Sequence, residues 1–419
     1  MNRAQKDPAR SCYMAIGLIA GSMLLVSLLA TAAAQAQTMT VLHSFTGGAD
    51  GSSPRAGVAL DRAGNVYGVT PYGGSRMGNC GGIGGCGVVY RAAPRNGAWI
   101  FTPLYIFQGG EDGAEPWSTV TVGPDGALYG TTLIGGGSGC SNSCGTVFRL
   151  APSAQFCHMA LCPWTETIIY HFATDPNGLG LPFGGVIFDA AGNLYGIAGG
   201  SANGGCAVYK LSPSGGSWTL SVLYNLQAAT DGTLSMATPA MDAAGNLYGT
   251  TTFGGANGYG TVFELVHSAG GYTFNLLYTF TGSNDGGDPT AGVAVDAAGN
   301  VFGDTAFGGG VFELTRSGSE WNYSVIVPFV GGLEPPISLD SAGNIYGTGN
   351  ADGTHGLGSV FKLTYSNGVW THNIIYSFGG GDGGVLPLSS VAFDSNGNLY
   401  GTTNYGGSGG EGTVWQLTP

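Results

Sequence analysis

One short string recurs seven times along this 419-residue chain, and it constrains the fold more than any other feature. Each copy reads Gly-Asn-x-Tyr-Gly or a close variant, and the closing glycines are at positions 68, 130, 196, 249, 303, 347 and 401. The intervals between these glycines are 62, 66, 53, 54, 44 and 54 residues. Periods of this length are typical of propellers and solenoids, in which each repeat is one supersecondary unit.

The apolar runs within each repeat predict four strands. In the sixth repeat they predict strands near residues 337–340 and over residues 344–348, 359–364 and 370–378. These runs are rich in aromatic and β-branched residues and are bounded by Gly, Asn or Asp, as β-strands usually are. Since four strands per unit make a propeller blade, the sequence predicts an all-β, seven-bladed β-propeller.

The two ends of the repeat region are incomplete in complementary ways. Residues 41–45 read as a fourth strand with no first, second or third strand before it, and the last repeat stops after its third strand at Leu417. We therefore expect the N-terminal strand to join the C-terminal blade. That arrangement closes the ring and removes exposed strand edges.

Two features present in nearly every repeat are predicted to be scaffold. An Asp-x-x-Gly-Asn turn joins the first two strands, where the aspartate can cap the turn and glycine can adopt a positive φ. The tyrosine that follows predicts packing between blades, and the glycine after it predicts a close approach by the neighbouring sheet. The turn aspartates are Asp61, Asp189, Asp242, Asp296, Asp340 and Asp394.

The first 36 residues differ from the rest and predict a signal peptide. Three basic residues precede an apolar stretch over residues 14–30, and Ala34-Gln35-Ala36 offers a cleavage site before Gln37. A single membrane helix is the alternative, but small residues rather than a basic flank follow the apolar stretch. We expect an exported protein, extracellular or periplasmic, with one propeller domain over residues 37–419 and no membrane association after cleavage.

The negative charge of the chain disfavours polyanionic partners. The whole chain has a net charge of −13, and removal of residues 1–36 leaves nine basic and 24 acidic residues, a net charge of −15. Such a chain should repel nucleic acid and anionic lipid.

Seven cysteines follow the predicted cleavage site, and six of them form three close pairs. Export favours local disulfides over zinc, because zinc needs four ligands and His158 is the only histidine beside these cysteines. Cys206 is left as a free thiol or an alternative partner, since it occupies the same repeat position as two of the paired cysteines. The pairs are Cys80 with Cys86, Cys140 with Cys144, and Cys157 with Cys162.

The chain also contains the runs Ser-Phe-Thr-Gly-Gly-x-Asp-Gly at residues 44–51, Asp-x-x-Gly-Asn-x-Tyr-Gly-Thr-Thr at 242–251 and Gly-Thr-Val-Phe-x-Leu at 260–265. In these runs it resembles a known family, the GloVer tandem repeat of choice-of-anchor exported bacterial proteins. The resemblance implies secretion and often a C-terminal surface anchor, but no defined activity and no catalytic residues. Because no hydrophobic tail follows the last repeat, we expect release rather than anchoring.

Two sets of repeated loop residues are candidate ligand contacts. Both lie in the loops that join the second strand to the third and one blade to the next, which share one face of a propeller. Aspartates followed by Gly form either turn caps or an acidic ring that holds a cation such as Ca²⁺: Asp50, Asp112, Asp231, Asp285 and Asp382. Aromatic residues followed by Gly-Gly form either a rim that stacks on sugar rings or packing over the blade interfaces: Tyr72, Phe253, Phe307 and Tyr405.

The repeats differ most between blades one and two. Glu111, Asp112, Glu115 and Trp117 occupy one loop, and Arg55 and Arg76 lie in adjoining loops. Carboxylates beside a tryptophan suit saccharide binding, and paired carboxylates also perform acid and base steps in glycoside cleavage when their separation fits. No nucleophile elbow, phosphate loop or zinc-protease motif is present in the sequence.

These residues lead to three hypotheses. The first is a secreted, non-catalytic binding propeller for a polysaccharide or an envelope partner. The second is an extracellular polysaccharide lyase or glycoside hydrolase that uses Glu111, Asp112 or Glu115. The third is a structural matrix or assembly component, which needs no pocket. Whether the protein is an enzyme is open, and the absence of a catalytic motif favours the first hypothesis.

Overall fold

The computed structural model describes residues 37–75, 80, 84–137, 144–153, 164–200, 205–328 and 336–418. This part of the chain forms seven four-stranded antiparallel sheets, which are the blades of a β-propeller. The prediction of fold class is therefore confirmed. The helical elements in the described residues are three short 3₁₀ turns, Gly110–Asp112, Phe172–Thr174 and Gly381–Gly383. None of the described helices has the length and apolar character needed to cross a membrane.

Each blade is a meander of four strands, here called a to d from first to last. Blade one contains β2 (Ala59–Leu60), β3 (Val66–Thr70), β4 (Val88–Arg95) and β5 (Ala98–Ile106). Blade two contains β6 (Thr121–Val122), β7 (Leu128–Thr132), β8 (Thr146–Pro152) and β9 (Trp164–His171). Blade three contains β10 (Ile187–Phe188), β11 (Leu194–Gly199), β12 (Cys206–Ser214) and β13 (Ser217–Asn225). Blade four contains β14 (Ala240–Met241), β15 (Leu247–Thr251), β16 (Thr261–Ser268) and β17 (Gly271–Thr279).

The remaining blades follow the same order. Blade five contains β18 (Ala294–Val295), β19 (Val301–Asp304), β20 (Gly310–Ser317) and β21 (Glu320–Pro328). Blade six contains β22 (Ser338–Leu339), β23 (Ile345–Gly349), β24 (Ser359–Ser366) and β25 (Val369–Ser377), close to the four predicted segments. Blade seven contains β26 (Ala392–Phe393), β27 (Leu399–Thr403), β28 (Thr413–Thr418) and, as its strand d, the N-terminal β1 (Thr38–Ser44).

The pairing of β1 with β28 closes the ring, as predicted. The two strands are antiparallel, with Val41 opposite Trp415. Phe45, which directly follows β1, is completely buried and packs with Tyr90 and Val66 of blade one. The closing strand therefore contributes both backbone pairing within blade seven and core packing against blade one.

The hydrophobic core lies between adjacent blades, and each interface has its own buried cluster. The glycine that ends each repeat string has a different role from the predicted one. Its cross-strand partner is an aromatic residue on strand c of the same blade, such as Phe263 opposite Gly249. A Cβ at Gly249 would lie 2.5 Å from Cζ of Phe263. The close approach therefore comes chiefly from the blade's own strand c, because the aromatic ring occupies the space that a side chain would need.

The Asp-x-x-Gly-Asn turns are held by their aspartates. In blade one, Oδ1 of Asp61 accepts from the backbone N–H groups of Ala63 and Asn65, both at 2.9 Å. Oδ2 accepts from the Asn65 side chain at 2.6 Å and from the Tyr67 hydroxyl at 3.0 Å. Although burial alone would raise the pKa of Asp61, these hydrogen bonds lower it. The turn therefore uses the acceptor capacity of the carboxylate, which leaves little for a ligand.

Candidate functional site at the centre of the ring

The loops between blades and the loops between strands b and c meet on one face of the ring, here called the long-loop face. Isolated β-bridges join them, for example between Ser52 and Tyr72 and between Ala114 and Ile134. The face is thus a set of paired loops held by backbone hydrogen bonds.

A cavity of about 310 Å³ opens at the centre of this face. Its walls come from the segment just before strand a of every blade. Because strand a is the innermost strand of a propeller blade, these segments surround the central channel. Each blade is represented in the lining, by Arg55, Trp117, Phe183, Met236, Thr290, Pro336 and Leu388 in chain order.

The polar side of the cavity is built around Trp117. The guanidinium of Arg55 lies over the Trp117 ring, 5.1 Å from its centroid. Glu115 is buried and its Oε2 accepts a hydrogen bond from Trp117 Nε1 at 3.1 Å. Tyr72 meets the same ring edge-on, with centroids 6.3 Å apart. Burial and the nearby Glu115 raise the pKa of Tyr72, and Arg55 partly offsets this increase.

Three polar atoms of the cavity lining have no hydrogen-bond partner. They are Nε of Arg55, Oγ of Ser118 and Oγ1 of Thr290, and all three are buried. A buried polar group without a partner costs stability, on the order of 1–3 kcal/mol. The cavity lining therefore combines an aromatic surface with buried polar groups that no other described residue satisfies.

The backbone at Glu115 has a left-handed conformation, with φ of 56°. The same conformation recurs before strand a in other blades, at Ser53, Leu181, Leu234, Asp288 and Leu386. Its recurrence with side chains as different as Leu and Glu identifies it as part of the scaffold. Glu115 is special in its side chain, which the loop directs to the indole of Trp117.

The predicted acidic ring is used largely by its own turns. Asp50 accepts from His43 Nε2 at 3.0 Å and from the Thr46 backbone at 2.9 Å. Asp231 and Asp285 likewise accept from a strand-d tyrosine and from a backbone N–H. Asp382 lies in an exposed 3₁₀ turn. In the described part of the chain, no group of three or more His, Cys, Asp or Glu side chains is arranged to hold a metal ion.

Asp112 belongs to a carboxyl pair at the outer side of blades one and two. The Tyr105 hydroxyl lies 3.1 Å from Oδ2 of Asp112 and 3.1 Å from Oε2 of Glu166. A hydroxyl donates one hydrogen, so the second contact needs a proton on a carboxyl group. Burial, with a contribution from Asp112, raises the pKa of Glu166 to about 8. This pair was not predicted, because Glu166 is distant from Asp112 in sequence.

The structure therefore places the three candidate carboxylates in different environments. Glu115 contacts Trp117, Asp112 contacts Tyr105, and Glu111 is exposed in the 3₁₀ turn Gly110–Asp112. None of the three is part of the cavity lining. Arg76, the remaining candidate of this group, lies outside the described residues.

The aromatic residues of the long-loop face are largely accessible. Phe253, Phe307 and Tyr405 are 44%, 55% and 44% exposed, whereas Tyr72 is half-buried against Trp117. Such exposure leaves ring faces available to a ligand.

One predicted disulfide is present between described cysteines, Cys80 to Cys86, with Cα atoms 5.3 Å apart. Cys144 is also disulfide-bonded, and its predicted partner Cys140 lies outside the described residues, as do Cys157 and Cys162. Cys206 is a buried free thiol, and burial raises its pKa to about 12.

Most of the cavity wall was not predicted from the sequence. No motif marks the loop residues Phe183, Met236, Thr290 and Leu388. They could be identified only by their position in the repeat, because each lies shortly before strand a of its blade.

A known repeat family matches most of the chain. The chain matches the Gloeobacter/Verrucomicrobia repeat over residues 28–162 and 158–333. No curated protein matches the chain.

Two solved structures are similar to this chain at low sequence identity. A proposed 6-phosphogluconolactonase from Bacteroides uniformis is 12% identical, with a TM-score of 0.48 over 80% of this chain and 88% of that chain. A proposed oxidoreductase (glucose dehydrogenase) from Thermus thermophilus is 14% identical, with a TM-score of 0.38 over 91% of this chain and all of that chain. At these values neither similarity assigns an activity. The repeat match covers more than half of the sequence, and the chain belongs to the Gloeobacter/Verrucomicrobia repeat family.

Proposed function

We propose that this protein is an exported, non-catalytic binding propeller that holds a sugar unit of a polysaccharide in the central cavity of its long-loop face. The observation that carries the proposal is the Arg55–Trp117 pair at the cavity, with a buried, unpartnered Nε on Arg55. Export is supported by the N-terminal sequence pattern and by the disulfide between Cys80 and Cys86.

The chemistry of the lining suits a sugar ring. Sugars present an apolar C–H face, which packs on aromatic rings, and hydroxyl groups, which need both donors and acceptors. Trp117 supplies the aromatic surface, and the hydroxyl groups of Ser118 and Thr290 can each donate and accept. Arg55 adds a donor whose orientation is fixed by stacking on the indole.

The size of the cavity favours a terminal unit or a branch over a long polymer segment. At about 310 Å³ it is near the lower end of the range for ligand pockets. The exposed rings of Phe253, Phe307 and Tyr405 on the same face are available to the rest of the chain. The large negative charge of the protein favours a neutral glycan over a strongly anionic one.

A glycan-array screen of the mature protein, followed by calorimetry with a bound glycan, tests the proposal. We expect binding that Arg55→Ala weakens strongly. The matched control is Arg316→Ala, because Arg316 also lies over a tryptophan, Trp321, at 5.9 Å but away from the cavity. Equal effects of the two substitutions, or no binding to any glycan, would count against a sugar site at the ring centre.

A further inference from the structure

One position of the repeat has a different residue type in blade four. Near the start of strand d, five blades have a tryptophan, and blade four has Tyr272 instead. The ring at this position packs against the strand-b aromatic of the preceding blade, as in Tyr67 with Trp164 at 6.1 Å and Tyr195 with Tyr272 at 6.4 Å. The tryptophans are Trp99, Trp164, Trp218, Trp321 and Trp370.

A groove of about 750 Å³ lies beside the smaller Tyr272 ring. It is on the face opposite the central cavity, where the turns between strands a and b are located. Met241 supplies further apolar surface, and Lys210 and His267 supply polar groups. The replacement of tryptophan by tyrosine thus coincides with an open space bordered by apolar and polar groups.

The hydrogen-bonding capacity of the groove resides in its donors. The Asp189 and Asp242 carboxylates each accept four hydrogen bonds within their own turns and are occupied. The Lys210 ammonium lies 5.7 Å from the Tyr195 ring, with no described carboxylate within salt-bridge distance. His267 is exposed, with its ring 5.0 Å from that of Tyr272.

We propose that this groove is a second binding site, which takes a neutral pyranose ring. Tyr272 and Met241 offer a surface for its C–H face, and Lys210 and His267 offer donors to its oxygen atoms. The two occupied carboxylates outweigh the single ammonium group in charge, which disfavours an anionic ligand. The site does not rest on the central cavity. Because the two sites are on opposite faces, a protein that uses both would connect two glycan chains.

Saturation-transfer NMR on the mature protein tests this site with three probes: methyl β-glucopyranoside, methyl β-galactopyranoside and methyl α-mannopyranoside. The Trp117→Ala variant removes the central site, so the remaining transfer reports on the groove. We expect transfer to at least one probe, and its loss when Tyr272→Trp is added. Tyr272→Trp should leave the Tm unchanged, because five other blades have tryptophan at this position.

Two further variants complete the test. Tyr365→Ala removes an exposed ring outside the groove and should leave the transfer intact. Lys210→Met keeps the aliphatic stem of the side chain and should reduce the transfer even as the only substitution. This variant therefore tests the groove if Trp117→Ala does not fold. No transfer to any probe, undiminished transfer after Tyr272→Trp, or preference for methyl glucuronide over all three neutral probes would overturn the proposal.

Discussion

The guanidinium of Arg55 is held 5.1 Å above the ring of Trp117. The two residues precede strand a of adjacent blades, so the pair joins blade one to blade two at the edge of the central cavity. Contact with an indole restricts the orientation of a guanidinium group and of its N–H donors. The pair is therefore a preorganised combination of aromatic surface and hydrogen-bond donor.

Removal of the Trp117 ring should abolish most of the glycan affinity. We expect Trp117→Ala to weaken binding at least about tenfold, or about 1.4 kcal/mol, because the stacking surface and the support of Arg55 are both lost. Trp117→Phe should retain part of the affinity. Calorimetry measures both, with Tyr365→Ala as the control, since Tyr365 is 58% exposed outside the cavity. Unchanged affinity in Trp117→Ala would show that the indole does not contact the glycan.

Deletion of the closing strand should destabilise the opposite end of the chain. Without residues 37–45, β28 loses one of its two partner strands and blade one loses contact with the buried Phe45. Hydrogen exchange should become faster first in β27 and β28, and the Tm should fall. A milder variant, Phe45→Ala, should cost about 3–5 kcal/mol. If both proteins unfold like the full-length chain, β1 does not close the ring in solution.

A methyl group at a repeat glycine should disturb its own blade. In Gly249→Ala the new Cβ would lie 2.5 Å from the Phe263 ring, so the ring must move, at a cost of about 1–3 kcal/mol. Gly270→Ala is the matched control in the same blade, because the nearest atom to its Cβ is 3.8 Å away. Chemical denaturation should separate the two variants. Equal stabilities would show that the aromatic residue does not pack on the glycine.

Much of the architecture can be predicted because it is encoded in every repeat. The strand order and the closure of the ring follow from repeated turns and from complementary ends, such as residues 41–45 and Leu417. The role of the glycines was less predictable. A pattern along the chain shows that Gly249 lacks a side chain, but only the cross-strand register shows that Phe263 occupies the space.

The site could be predicted only in part. Trp117 and Glu115 break the repeat, and the structure joins them by a hydrogen bond beside the central cavity. The cavity also needs Met236 and Thr290, which come close to Trp117 only because the ring brings the blade segments together. The contact of Asp112 with Tyr105 and Glu166 likewise depends on the arrangement of blades one and two.

Stability should decrease as the pH rises through the titration range of Glu166. Its folded-state pKa is about 8 and lies above the ordinary value, so the native state retains a proton that the unfolded chain has lost. Stability is therefore greatest below the ordinary pKa of Glu, falls as the pH rises toward about 8 and levels off above that value. After allowance for partial solvent screening, the change should be about 2 kcal/mol.

Thermal unfolding between pH 5 and pH 9 measures this effect. Glu166→Gln mimics the protonated carboxyl group and should flatten the profile, with a higher Tm than the unsubstituted protein above pH 8. Glu320→Gln, at an exposed position on β21, should leave the profile unchanged. A profile that keeps its slope in Glu166→Gln would assign the pH dependence to other groups.

Hydroxyl-radical footprinting with and without a bound glycan locates the binding site. We predict that the glycan protects Trp117 and its neighbours in the cavity lining, while the exposed Tyr365 reacts at the same rate in both samples. Bound glycan that leaves the reactivity of Trp117 unchanged would contradict the placement of the site at the centre of the ring.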